Sequence, residues 1–467
     1  MSRRVIIVGA GMGGLTAALR LARRGFAALV VEARDGPGGL ASGFNQDGLA
    51  FDAGPYILLD RPGLEWAFRE VGLELADLVP LRRLEDVYEV ATPDGVVRFH
   101  ADLERTAAGM DANWPGSGAR YVHFVRSVEK VYRRLSPLVR ISRPGLRQLL
   151  RTGAWWNAPF LLRPLGSVLA ATGLPRPIVD AIAIWTHVAG QTLEEAPSPL
   201  AFVAALIHTV GSYYPVGGIA TVPRVLAGAA ARAGVGFRYD TRVAAICSQG
   251  SQVTGIQTDK GEFIAADVVI SNHSGIGTYL NLVAAMPPTD RERLARLPLQ
   301  SPGVCAYLAV KGEPRPPYLR FLLPRGELCR LLIRPAVVSP ECLVDGWQPA
   351  RLLAPMAYAE TERGGEAGQR AYLERALGES WWRDGLTDVR VLTTRIPAEW
   401  GRQYHLYRDS MNPVMTARFM RAGRLAHRSP HLCGLYLAGS STHPGQWVSF
   451  CAISGVLAAD RVQEDLR

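Results

Sequence analysis

The stretch Val5-Ile6-Ile7-Val8-Gly9-Ala10-Gly11-Met12-Gly13-Gly14, with Glu32 eighteen residues beyond its last glycine, decides how the chain is read. Val5 to Val8 is short, apolar and β-branched, the pattern of a strand buried on both faces. Gly9 to Gly14 fits GxGxxG. Its first glycine permits a tight turn, Gly11 lets backbone approach a pyrophosphate, and Gly14 lets a helix pack close to the strand. Leu15 to Arg24 reads as that helix, with Leu15, Ala18, Leu19 and Ala22 on one face and Gly25 as its stop. Its N-terminus offers free N–H groups and the positive end of a dipole to phosphates. Ala28 to Val31 is the second strand. Glu32 closes it, where a carboxylate can bond a ribose diol and would repel a 2′-phosphate. Strand, glycine turn, helix and strand make a Rossmann unit with a dinucleotide site that disfavours NADP.

Working outward, Glu32-Ala33-Arg34-Asp35-Gly36-Pro37-Gly38-Gly39 adds a second glycine loop. Such a loop suits a larger cofactor threaded along the protein. It also fits an ordinary Gly/Pro turn, and alone it does not decide between them. Leu84 to Phe99 predicts a hairpin turned at Pro93-Asp94-Gly95. Ala101 to Leu206 is mostly helical in pattern, and Thr221 to Ala233 is a helix stopped by Gly234. Val243 to Ile270 reads as a meander, and residues 300 to 400 mix strands and short helices. Leu435 to Ala438 and Val448 to Ala459 read as a last strand and a last helix.

At 467 residues the chain exceeds one compact core, and 48% hydrophobic with 20% charged residues reads as globular. The net charge is +10, and only Lys130, Lys260 and Lys311 among 52 basic residues are not arginine. The arginines are scattered without a nucleic-acid motif, so no nucleic-acid partner is expected. Compositional bias is the first reading of the charge, attraction to an anionic membrane surface the second. The six cysteines form no CxxC pair, and no His/Cys spacing suits a metal, so none is expected. Met1 to Arg4 leads straight into a strand, which predicts no signal peptide and a cytoplasmic protein. The charge-free run Gly434 to Ala459 is long enough to span a membrane, but Pro444, Gly445 and Gly455 predict a buried strand, turn and helix instead.

These segments together resemble the phytoene desaturase family of FAD-dependent oxidoreductases, relatives of the amine oxidases. The resemblance rests on the GxGxxG, on VVEARDGPGG (30–39) and GLAFDAGPYIL (48–58), and on YYPVGGIATVPRVLAGAAARAGV (213–235). ADVVISN (266–272, ending in Asn272) and LYLAGSSTHPG (435–445) complete it. It implies an α/β fold with a discontinuous, glutathione-reductase-like, Rossmann-type FAD-binding domain, a mixed α+β substrate domain and a helical lid. The expected boundaries are 1–85, 215–290 and 415–467 for FAD, and 86–214 and 291–414 for substrate. By the same likeness Gly9, Gly11, Gly14, Glu32, Ala33, Arg34 and Asn272 bind the cofactor. Gly38 and Gly39 lie along the pyrophosphate, Val243 holds the adenine side, and Gly439 and Ser440 meet the ribityl-phosphate stretch. Leu40, Gly54, Pro55 and His443 to Val448 are expected at the flavin ring.

The chain departs from the family at three places. Leu40 stands where an arginine is usual, and Ser440 where many flavoproteins carry an acid. Gln446 and Trp447 replace small residues of a glycine-rich turn, so the tunnel is narrowed there if they face the ring; Trp447 can equally pack away from it. The implied chemistry is hydride transfer between a hydrophobic, polyene-like substrate and flavin N5, with His443, Gln446 and Trp447 as catalytic-face residues. His187 and Tyr214 are further polar candidates, each as readily a buried hydrogen-bonding group. A saturase, isomerase or polyketide-tailoring reaction of the same family stays open. Amine oxidation is disfavoured, because the nearest lysine, Lys311, sits past the end of the strand where that family places one. A non-enzymatic flavin-binding protein is the remaining alternative. Leu149 to Leu174 mixes arginine with Trp155, Trp156, Phe160, Leu161 and Leu162. It reads either as a lipid-interface element or as a buried lid.

Overall fold

The computed structural model describes residues 3–284, 286–422 and 424–467; Met1 and Ser2, at the start of the predicted first segment, lie outside these. Strand Arg4–Val8 is the middle of a five-stranded parallel sheet. Its neighbours are Ala27–Val31 and then Gly236–Arg238 on one side, and Val268–Ser271 and then Leu435–Leu437 on the other. Central strands of such a sheet are covered on both faces, and Ile6, Ile7, Val30, Val268, Val269 and Ile270 are all buried. The sheet therefore gathers segments from both ends and the middle of the chain.

Helix Met12–Arg23 follows the first strand, and helix Val448–Asp465 packs against it. The approach needs glycine, because a Cβ on Gly455 would lie 2.2 Å from the Gly13 carbonyl oxygen. Arg20 Nε donates to Asp460 Oδ1 at 2.6 Å and Arg20 Nη2 lies 2.9 Å from Glu70 Oε2, which ties both helices to helix Arg61–Glu70. The charge-free run is thus strand Leu435–Leu437, a turn, and the buried N-terminal part of the last helix. Among the described residues no helix is long and apolar enough to cross a membrane.

The second sheet has seven strands, in the order Asp388–Arg395, Val304–Lys311, Gln348–Ala354, Arg330–Ile333, Leu319–Leu322, Asp86–Thr92 and Gly95–His100. All neighbours are antiparallel except Leu319–Leu322 with Asp86–Thr92. The hairpin read at Pro93-Asp94-Gly95 forms the edge of this sheet. Helices from Leu103–Asn113 to Phe202–Thr209 pack beside it. The meander is present as three antiparallel strands from Val243 to Ala265. Its apparent fourth strand, Val268–Ser271, instead joins the parallel sheet.

Segment 149–174 forms short helices and turns, and none of its residues lines the main cavity. Trp156 (66%) and Leu162 (61%) of this segment are exposed.

Candidate functional site: a cavity walled by both sheets

A cavity of about 500 Å³ runs from the Rossmann strands to the seven-stranded sheet. One end is fixed by Glu32. This buried carboxylate accepts the Ala10 N–H at Oε2 (2.6 Å) and the Arg34 N–H at Oε1 (2.9 Å). Burial pushes its carboxyl up, and those backbone donors with the Arg34 charge pull it back. Each oxygen keeps a lone pair for an incoming hydroxyl. Ala33 and Arg34 share this wall. Arg34 Nη1 donates to Ser42 Oγ at 3.0 Å, and the guanidinium lies 4.4 Å from the Tyr404 ring centre. Val243 and Arg242 close the same end.

The glycine turns come next. Gly9 (φ +95°) and Gly439 (φ +95°) sit in the left-handed region that glycine favours. A Cβ on Gly11 would lie 2.5 Å from Asn272 Nδ2, and one on Gly13 would lie 2.7 Å from both Asn272 Oδ1 and the Gly439 nitrogen. In the sequence, Gly11 has a single reason, the approach of a pyrophosphate. The structure adds the amide of Asn272, lodged against both glycine turns. Gly14 does not line the cavity; its Cβ would stand 2.2 Å from the Gly9 carbonyl oxygen, the helix-to-strand contact expected of a third glycine. Gly38 donates its N–H to the Ala10 carbonyl at 2.8 Å, so the second glycine loop is bound to the first. Gly38, Gly39 and Leu40 all face the cavity.

The far end is built by Ala53, Gly54 and Pro55, by Ser440, and by Gln446, Trp447 and Val448. Gly54 lies against Leu40, whose carbonyl oxygen would be 2.2 Å from an added Cβ. Ser440 Oγ donates to Asn412 Oδ1 at 2.9 Å. Trp447 touches the cavity while its ring stacks on Phe450 at 4.7 Å, so it both walls the space and packs against its own helix. Leu58, Leu64, Trp185, Leu200 and Val203 add apolar wall to the cavity.

His443 is placed elsewhere. Its Nε2 donates to the Leu138 carbonyl at 3.1 Å, burial holds its imidazole down at about 4, and it is not among the lining residues. The motif's register brought it to the flavin turn, but its ring is taken up by the Leu138 carbonyl. His187 accepts the Cys329 N–H and Tyr214 donates to Asp52 Oδ2 at 2.7 Å; both are outside the cavity wall and act as structural bonds. Lys311 ends its strand with Nζ 4.7 Å from the Trp347 ring centre, also away from the cavity.

Sequence reasoning missed Asp60, Arg351, Trp400 and Tyr404. Asp60 caps helix Arg61–Glu70 by accepting the Gly63 N–H at 3.1 Å, and with Glu32 it is one of two carboxylates among the described lining residues. Burial pushes its carboxyl up. An aspartate just before Arg61-Pro62 was a readable cap signal. Arg351 was visible as the charge inside the otherwise uncharged strand Gln348–Ala354.

A Rossmann glycine turn, a buried ribose acid and a second glycine loop feeding a long, apolar-ended cavity define a flavin-dependent oxidoreductase. The sequence profile of the flavin containing amine oxidoreductases matches residues 12–330, and the chain belongs to that family. The chain is 25% identical to a 4,4'-diapolycopene oxygenase of Methylomonas sp, over 100% of this chain and 99% of the relative. It is 27% identical to a zeta-carotene-forming phytoene desaturase of Myxococcus xanthus (98% and 94% covered). Against a phytoene dehydrogenase of Streptomyces griseus the identity is 29% (98% and 94% covered). Among solved structures, an oxidoreductase from Methanosarcina mazei superposes with a TM-score of 0.67 at 16% identity (99% and 100% covered). Putrescine oxidase bound to putrescine superposes with 0.62 at 16% (100% and 99% covered). These two show the fold. The cofactor is FAD, and the glycine cradle and Glu32 fit its adenosine diphosphate half.

Glu32→Ala is expected to weaken FAD binding by about 1–3 kcal/mol, the scale of a lost charged hydrogen bond. Gly11→Val should abolish binding, since its side chain displaces Asn272 and fills the phosphate approach. Fluorescence titration of the apoprotein checks both, and undiminished affinity in the pair would remove the nucleotide from this turn.

Proposed function

We propose that the protein desaturates a hydrophobic polyene, holding it in the apolar extension of the cavity so that a saturated carbon pair meets the flavin. The observation that carries this reading is the aliphatic and aromatic wall of the cavity, which offers burial and few polar partners. The full-length likeness to carotenoid desaturases supports it. So does the position of Lys311, which leaves no lysine in the cavity wall among the described residues. Bound FAD supplies the hydride acceptor. Leu58, Leu64 and Val203 exclude water and hold the chain extended, so that geometry does most of the catalytic work. Asp60, its carboxyl raised by burial, is the group at that end suited to take the proton from the neighbouring carbon.

Mass spectrometry of lipophilic extracts from cells with and without the protein tests the reading. A polyene lighter by two hydrogens is expected. Asp60→Asn should lower its formation on the order of 100-fold with FAD retained. An unchanged lipid profile would overturn the proposal, and full activity of Asp60→Asn would leave Asp60 a helix cap. Oxygenation at a chain end is the second reading, favoured by the Methylomonas relative. A product heavier by oxygen in the same extracts would select it.

We also propose that the protein takes its substrate from an anionic membrane surface. Among the described residues, six of the ten exposed large hydrophobic ones fall between Leu146 and Leu162, including the stacked pair Trp155 and Trp156. Exposed Arg143, Arg147, Arg151 and Arg163 accompany them. Phe160 in this segment stacks on Phe202, the neighbour of the cavity residue Val203, at 5.8 Å. The holoprotein should float with phosphatidylserine vesicles at low salt and be released by Trp155→Ser/Trp156→Ser. Protein that stays at the bottom of the gradient would exclude this surface.

A further inference from the structure

Arg351 plays no part in the proposed desaturation, yet it is a buried charge in the wall of the cavity. It sits on strand Gln348–Ala354, between Tyr307 of one neighbouring strand and Ile333 of the other. It is buried, with 6% of its surface exposed. Its Nη1 donates to the carbonyls of Asp52 (2.9 Å) and Ala53 (3.1 Å), and its Nη2 to that of Gly54 (2.8 Å). Tyr307 OH donates to the same Ala53 carbonyl at 3.0 Å. These are neutral acceptors. Among the described residues no carboxylate lies in ion-pair contact with the guanidinium. The nearby Asp52 accepts from Tyr214 OH and the Ile219 N–H and reaches the guanidinium only through its charge, without an ion-pair contact. Arg351 Nε has no partner at all.

An arginine stays charged in proteins, and a buried cation without an anion is expensive. This one stands in the cavity wall beside Ala53, Gly54 and Pro55. The direction of the cofactor follows from the opposite end: with adenosine at Glu32 and phosphates at Gly11, the isoalloxazine reaches the Gly54 end. Two-electron reduction of a flavin leaves a ring that either keeps a negative charge or takes a second proton. A fixed cation in a dry wall favours the charged form.

We propose that Arg351 is the positioning charge that holds the reduced flavin as its anion and raises the reduction potential of the bound FAD. The carbonyls of residues 52–54 orient the guanidinium, and the reduced ring adds a counter-charge to that of the nearby Asp52.

The inference rests on FAD occupying this cavity but not on the identity of the substrate. The test uses purified holoprotein and no substrate. In the wild type, the two-electron potential followed by dye equilibration across neutral pH should change with one proton taken up per two electrons. A two-proton dependence would overturn the proposal. Arg351→Gln should keep bound flavin, shift the potential to more negative values and weaken sulfite addition to N5 on the order of tenfold or more. Arg351→Lys should restore most of both. An unchanged potential and sulfite affinity in Arg351→Gln with flavin bound would make Arg351 a clamp for residues 52–54 only. If Arg351→Gln fails to hold flavin, the wild-type proton count and Arg351→Lys still decide. Loss of potential in the lysine variant equal to that expected for glutamine would count against a charge role.

Discussion

The Asn272 side chain stands at a crossing that has no room for a single extra carbon. An added Cβ on Gly11, Gly13 or Gly439 would come within 2.7 Å of its amide. The three glycines belong to the first and last parts of the chain, and Asn272 ends a strand from the middle. Close packing of this kind is intolerant of volume change. It brings three distant segments into one turn, with the helix N-terminus of Met12–Arg23 left facing the cavity. Gly14 on Gly9 and Gly455 on Gly13 extend the same constraint to the two helices behind the sheet. The cofactor groove exists because these approaches exist.

From that crossing the cavity changes character along its length. The Glu32 end offers fixed donors, acceptors and charge, suited to a ribose and phosphates. The opposite end is walled by Leu58, Leu64, Trp185 and Val203, suited to burying an apolar chain and excluding water. Arg351 and Asp60 are the charged exceptions, one held by backbone carbonyls and the other by a helix N-terminus. Two redox partners of opposite polarity can thus meet at the middle of a single cavity.

Much of this was legible in the residues. The first strand, the glycine turn, the helix and Glu32 carry local signals, since each residue type answers to its own neighbours. The second glycine loop, Gly54-Pro55 and the closing turn became readable only through family likeness, because their partners lie far away in sequence. His443 shows the limit. Its motif position led to an expected place at the flavin ring, but nothing local told that Leu138 would capture its side chain. Arg351 and Asp60 went unassigned for the same reason: a charge in a strand or a cap gains meaning only when the opposite wall is known. The strand Val268–Ser271 looked like one more meander strand, and only the pairing with Arg4–Val8 places it in the parallel sheet.

Anaerobic mixing of the holoprotein with a micelle-dispersed polyene carrying a saturated carbon pair tests the central claim most directly, with the flavin absorbance followed in time. The account predicts bleaching of the flavin coupled to appearance of a polyene with one further double bond. A flavin that stays oxidised with the polyene and is bleached by a primary amine would contradict it.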